Sequence, residues 1–136
     1  MSGEQNTRFV ARVYGIDTTE LIDFVLDFSE LGQQFHNPVK TYSSGMRARL
    51  AFGLSMGIQF DTYLIDETTS VGDARFNCKS RAVFQDRIKN AGALVVSHQT
   101  RTLRDFCESG LVLHNGQATY LETLEDAIAL HLDLNR

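Results

Sequence analysis

A single proline (Pro38), two cysteines and no apolar run of membrane length mark this 136-residue chain by what it has little of. With one proline there is no Pro-rich linker to divide the chain, and no internal repeat or low-complexity tract stands out. Cys78 and Cys107 lie far apart and form no CxxC, which points to reduced thiols in a cytoplasmic chain. The longest mostly apolar stretch, Leu50 to Ile58, is broken by Gly53, Ser55 and Gly57. It is far shorter than the roughly 20 residues of a membrane-spanning helix. Met1-Ser2-Gly3-Glu4-Gln5-Asn6 has neither the basic start nor the apolar core of a signal peptide. Charge of one sign is also scarce: 13 Lys+Arg stand against 17 Asp+Glu, a formal net charge of −4. That excludes a protein whose main task is coating nucleic-acid phosphates. The histidines at 36, 98, 114 and 131 have no paired metal-ligand spacing, so zinc is not expected. An apolar fraction of 43% with 22% charged residues describes one ordinary globular domain.

Asp17-Thr18-Thr19-Glu20 reads as a helix start, a capping side chain with Glu three positions later. Leu21, Phe24, Val25, Phe28 and Leu31 follow at helical spacing, and Gly32 is the expected stop. Phe9 to Tyr14 is apolar and compatible with an earlier helix. Pro38 to Ser44 reads as a loop, and a second helix runs from Ser43 or Ser44 to about Ile58. Tyr63-Leu64-Ile65 is a short buried-strand candidate that ends in the acidic pair Asp66-Glu67. A further helix covers Ala74 to Asn90, closed by Gly92. Ala93-Leu94-Val95-Val96 is a second strand and leads into Ser97-His98. Leu111-Val112-Leu113 and Ala118-Thr119-Tyr120, joined through His114-Asn115-Gly116-Gln117, form a hairpin with Asn-Gly in its turn. Glu122 to about Leu132 is a last amphipathic helix. Helices alternating with buried strands imply an α/β fold with a parallel sheet, whose ligands bind beyond the carboxyl ends of the strands.

Three stretches can carry chemistry there. Asp66-Glu67 at a strand end can hold Mg²⁺ and polarise an attacking water. Alone, such carboxylates more often just face solvent. Ser43-Ser44-Gly45 at a helix N-terminus can receive an anion, because free N–H groups and the helix dipole converge there and Gly45 admits close approach. The plainer account is an ordinary serine cap. His98, just past a strand, can contact a phosphate or position a water, or be merely structural. Ser70-Val71-Gly72-Asp73 is a turn before a helix. Arg47 and Arg49 can form a solvated face. Gly53 and Gly57 have the spacing of a membrane dimer motif, but close packing of soluble helices is the better reading.

In this order and spacing the stretches resemble the nucleotide-binding subunit of ABC transporters. Tyr42-Ser43-Ser44-Gly45-Met46 resembles the signature motif, whose usual form is Leu-Ser-Gly-Gly-Gln; Ser43 and Gly45 match outright. Tyr63 to Asp66 resembles the Walker B strand, with Glu67 at the position of the catalytic carboxylate. Ser70 to Asp73 resembles the D-loop and His98 the switch histidine. Residues 42 to 56, Arg8 to Gly15 and Phe35 to Thr41 resemble the capsule-polysaccharide export branch. The resemblance implies an α/β fold, the C-terminal part of a P-loop NTPase core with part of its helical subdomain. Residues 1–58 are then helical subdomain and 59–136 the second half of the catalytic core. It also implies ATP and Mg²⁺ as ligands. Asp66 would coordinate Mg²⁺, Glu67 orient or deprotonate water, and His98 sense the γ-phosphate. Tyr42, Ser43, Ser44, Gly45, Met46, Asp66 and Asp73 would line nucleotide. Its partners would be a second ATPase subunit in a head-to-tail dimer and a polysaccharide-export membrane subunit, at the cytoplasmic side of the bacterial inner membrane.

One element of the family pattern is missing. Lys40, Lys79 and Lys89 follow Val39, Cys78 and Ile88, so the Gly-Lys of a P-loop does not occur. By resemblance the chain begins just after the Gln-bearing loop. Two consequences follow from that reading: weak ATP affinity for the isolated chain, and apolar strand edges left exposed. The alternative to an exporter ATPase is a non-catalytic chain that pairs with a complete subunit, or a truncated product that cannot hydrolyse ATP alone.

Overall fold

A computed structural model describes residues 1–66 and 74–136. The chain divides into two units, Met1–Tyr63 with Ser70–Gly92 and Leu64–Thr69 with Ala93–Arg136.

The first unit is helical. Ser2 opens α1 (Gly3–Tyr14) with a capping box: its hydroxyl accepts from the Gln5 N–H while the Gln5 side chain accepts from the Ser2 N–H. Gly15 ends the helix in the left-handed region at φ 66°. Asp17 caps α2 (Thr18–Ser29) as the sequence indicates, its carboxylate accepting from the Glu20 N–H at 2.8 Å. The helix stops earlier than expected. Glu30, not Gly32, takes the first left-handed conformation (φ 54°), and Gly32 begins a 3₁₀ turn, Gly32–His36. A second such turn, Val39–Thr41, occupies the loop expected after Pro38. Ser43 then caps α3 (Ser44–Gly57).

Burial explains the packing of these helices. Leu21, Val25 and Phe28 of α2, Ala11 of α1, Leu50 of α3 and Phe35 are all buried. A Cβ at Gly53 would press on Val25 and Phe28, and one at Gly57 would collide with Leu21 and Phe24. The glycine pair therefore serves close α2–α3 contact, as its spacing suggests. Helix α4 (Ala74–Ile88) adds Phe76, buried edge-to-face on Phe28 with centroids 5.4 Å apart. It ends at Ile88, two residues short of the expected Asn90, and Gly92 opens a strand rather than closing the helix. Its C-terminal turn is fastened by Arg87, whose Nε donates to the Met56 carbonyl at 2.8 Å.

Strands β1 (Thr62–Asp66) and β2 (Gly92–Val96) are neighbours in a two-stranded sheet. The Gly92 N–H donates to the Asp61 carbonyl at 2.8 Å, so the strands start together and run the same way. The sequence pattern predicts burial for both. Instead, Leu64 is 77% exposed, and Leu94 and Val96 are exposed too. In the second unit, α5 (Thr100–Phe106) follows, then the hairpin β3 (Gly110–His114) and β4 (Gln117–Leu121). Leu111 pairs with Tyr120 and Leu113 with Ala118, and Asn115 and Gly116 turn the chain at φ 48° and 76°. Helix α6 (Leu124–Leu134), capped by Thr123, covers the hairpin face that holds Val112. The opposite face leaves Leu111, Leu113 and Tyr120 exposed. No described helix is long and apolar enough to cross a membrane.

Candidate functional site

The N-terminus of α3 has the clearest geometry. Ser43 is extended (φ −63°, ψ 165°), and its Oγ accepts from the Met46 N–H at 3.2 Å. The Arg47 N–H donates to the Ser43 carbonyl at 3.0 Å. Ser44 and Gly45 hold the first two helical positions, where helix geometry offers their N–H groups no carbonyl. Both N–H groups and the positive end of the helix dipole thus face outward from an exposed turn. A Cβ built on Gly45 would meet nothing nearer than Ser43 Oγ at 3.9 Å. The fold therefore leaves open space at this glycine and does not require it. An anion that must sit close to the backbone would require it.

Beside this turn lies an open depression of about 360 Å³ lined by Glu30, Leu31, Gln34, Ser43, Gly45, Met46 and Arg49. Arg49 is not on a solvated face. Its guanidinium stacks over Phe76 at 4.6 Å and lies 3.6 Å from the Glu30 carboxylate. Arg47 is exposed. Sequence reasoning did not single out Glu30 or Arg49 for this site. The signal was present for Arg49, because Gly45 and Arg49 are four apart and so share a helix face.

Tyr42 contributes differently. Its side chain is buried, and the hydroxyl donates to the Gln34 carbonyl at 2.7 Å. Burial pushes its phenol above the ordinary value, with a backbone contact at Gly3 opposing. The ring thus anchors the approach to Ser43 from inside the helical unit. Ser43, Gly45 and Met46 come together at the depression, and Ser44 is exposed on the same turn.

Asp66 and His98 belong to the second unit. Asp66 ends β1 with an exposed side chain, and His98 is exposed two residues beyond β2. Because these strands run the same way, Asp66 stands at and His98 just past the carboxyl ends, where α/β sheets bind ligands. Among the described residues no group of three or more His, Cys, Asp or Glu is placed to hold a metal. Glu67, Asp73 and the turn from Ser70 lie outside the described residues.

The fold itself is that of an ABC transporter ATP-binding subunit in part. A solved structure, "Structure of ATP binding subunit of ABC transporter", superposes on the whole chain with a TM-score of 0.81 at 21% identity, and the chain covers 63% of it. The sequence narrows the class, for the chain is a homologue of the capsule polysaccharide export ATP-binding proteins. It is 46% identical over 132 residues to the polysialic acid transport ATP-binding protein KpsT of Escherichia coli, covering 95% of this chain and 60% of that protein. It is 41% identical over 127 residues to the capsule polysaccharide export ATP-binding protein CtrD of Neisseria meningitidis serogroup B, covering 93% and 59%. The ATP-binding protein BexA of Haemophilus influenzae is 41% identical over 127 residues, covering 93% and 58%. The chain thus spans about 60% of the length of these three relatives. No family model matches it.

Proposed function

We propose that this chain forms part of the ATP-binding, ATP-hydrolysing subunit of an ABC exporter of capsular polysaccharide. The observation that carries the reading is Gly45, a glycine in the first turn of α3 with open space above it, in a chain homologous to ATP-binding export proteins. Ser43, Ser44, Gly45 and Met46 then meet the γ-phosphate of a nucleotide held by a second subunit, through the outward N–H groups and the dipole of α3. Tyr42 supports that turn from below. In the same reading Asp66 holds Mg²⁺, which neutralises phosphate charge when bound. Glu67 takes a proton from the attacking water, His98 contacts the γ-phosphate, and Asp73 lies along the nucleotide. The partners are a second ATPase subunit packed head to tail and a polysaccharide-conducting membrane subunit, which places the protein peripherally at the cytoplasmic face of the inner membrane.

A chimera tests this directly. These residues replace the matching stretch of KpsT, and ATP hydrolysis and polysialic acid export are measured. Turnover that is lost on Glu67→Gln supports the reading. A folded chimera without hydrolysis, or a Glu67→Gln form with unchanged turnover, overturns it.

A further inference from the structure

Among the described residues only Glu30 and Asn115 are non-glycine residues with positive φ. Asn115 sits in a hairpin turn, where that conformation is expected. Glu30 sits at the C-cap of α2, a position that favours glycine or asparagine, and nothing in the backbone calls for a carboxylate there. Retention of a side chain in a conformation it disfavours directs attention to what the side chain does.

The carboxylate of Glu30 joins three helices. Its Oε1 lies 3.3 Å from the Lys79 Nζ of α4, and its Oε2 lies 3.6 Å from a guanidinium nitrogen of Arg49 on α3. Each cation is also held by an aromatic ring. Lys79 Nζ is 5.3 Å from the Phe28 centroid, and Arg49 is 4.6 Å from that of Phe76. Those two rings form the buried edge-to-face pair between α2 and α4. Lys79 also donates to the Asp27 carbonyl at 3.1 Å. All three charged side chains are at most 34% exposed. The pairs are therefore less screened than open surface pairs. Glu30 and Arg49 line the depression that Ser43 and Gly45 also line.

We propose that Glu30 is a positioning residue for the α3 N-terminus. It fastens α4, the helix that follows residues 67–73, and holds the Arg49 guanidinium at the wall of the depression. A phosphate reaching Ser43 and Gly45 then meets a cation already in place. The inference rests on the nucleotide reading given above and adds a residue to it.

Two variants separate positioning from capping. Glu30→Gln keeps the shape and removes the charge; Glu30→Gly removes the side chain and suits the left-handed backbone. If Glu30 were only a cap, the glycine form would be at least as well ordered as the parent. The positioning role predicts that both variants speed amide exchange over residues 75–82 of the full chain about fivefold, with α1 unchanged. About 1 M NaCl should reproduce part of that effect in the parent and add nothing to Glu30→Gln. In the KpsT chimera both variants should lower kcat about tenfold at unchanged KM for ATP. Unaltered exchange over 75–82, or faster exchange with unaltered kcat, overturns the proposal. A parent chimera without hydrolysis counts against the ATPase reading instead, and the exchange and salt data then decide whether Glu30 ties α4.

Discussion

Replacing Gly45 with alanine should make the protein more stable and less active, and the structure gives the size of both effects. Glycine in a helix costs about 0.5–1 kcal/mol relative to alanine because its unfolded chain has more freedom to lose. The new Cβ would find only Ser43 Oγ at 3.9 Å, an ordinary contact, so no steric term offsets that gain. For a chain of this length, such a gain raises Tm by about 2–5 °C. On the nucleotide reading, the same methyl group would crowd a phosphate oxygen that approaches the N–H groups of Ser44 and Gly45. Losing one such preorganised donor contact lowers turnover about 10²–10³-fold. The assay pairs thermal unfolding of the chain with ATP hydrolysis by the KpsT chimera, each with and without Gly45→Ala. A lower Tm would refute the claim that the fold leaves this position free. A higher Tm with unchanged hydrolysis would refute the claim that phosphate needs it.

Gly57→Ala should do the reverse, costing about 1–3 kcal/mol of stability because its Cβ collides with Leu21 and Phe24 across the α2–α3 contact. An unchanged urea midpoint would count against that packing. In the second unit, the Arg104 guanidinium grips Glu125 through two hydrogen bonds of 2.7 and 3.0 Å and holds its carboxyl below the ordinary carboxylate value. A depressed folded-state pKa adds stability above the unfolded value and loses it as pH falls through the folded one. The Tm gap between the parent and Glu125→Gln should therefore narrow as pH drops below about 4. A gap independent of pH would show the pair to be inert. Burial pushes the Cys107 thiol up, whereas Cys78 is exposed. Maleimide at neutral pH should label Cys78 first, as peptide mapping would record; equal rates would contradict the burial argument.

Much of the local structure was legible because it depends on neighbours in sequence. Asp17 and Ser43 cap the helices they precede, and Asn115-Gly116 turns the hairpin. Errors arose where distant contacts decide. α2 ends at Glu30 rather than Gly32, and cations from two other helices meet the Glu30 carboxylate there. Leu64 and Leu94 are apolar enough to suggest burial, but no described element covers them. α5 has only seven residues and no side-chain cap, too little to leave a periodic signal. Arg49 was legible as helical but not as part of the site, since its place depends on Phe76, 27 residues later along the chain.

The two residues that most directly concern the site both break a local rule. Gly45 weakens the helix it helps to start, and Glu30 occupies a backbone conformation suited to glycine. Exchanging their preferences, alanine at 45 and glycine at 30, would give a better-behaved helical unit by every local criterion. Neither exchange is needed to satisfy packing, since the space at 45 is open and the Glu30 side chain is partly exposed. Local backbone preference therefore accounts for neither residue, although the Glu30 carboxylate does tie α3 and α4 to the end of α2. Both border one depression with Ser43 and Arg49, a hydroxyl and a cation at the positive end of a helix. On the nucleotide reading, a phosphate would account for Ser43, Gly45 and Arg49 directly and for the Glu30 carboxylate only through its hold on Arg49, whereas a capping role explains only Ser43.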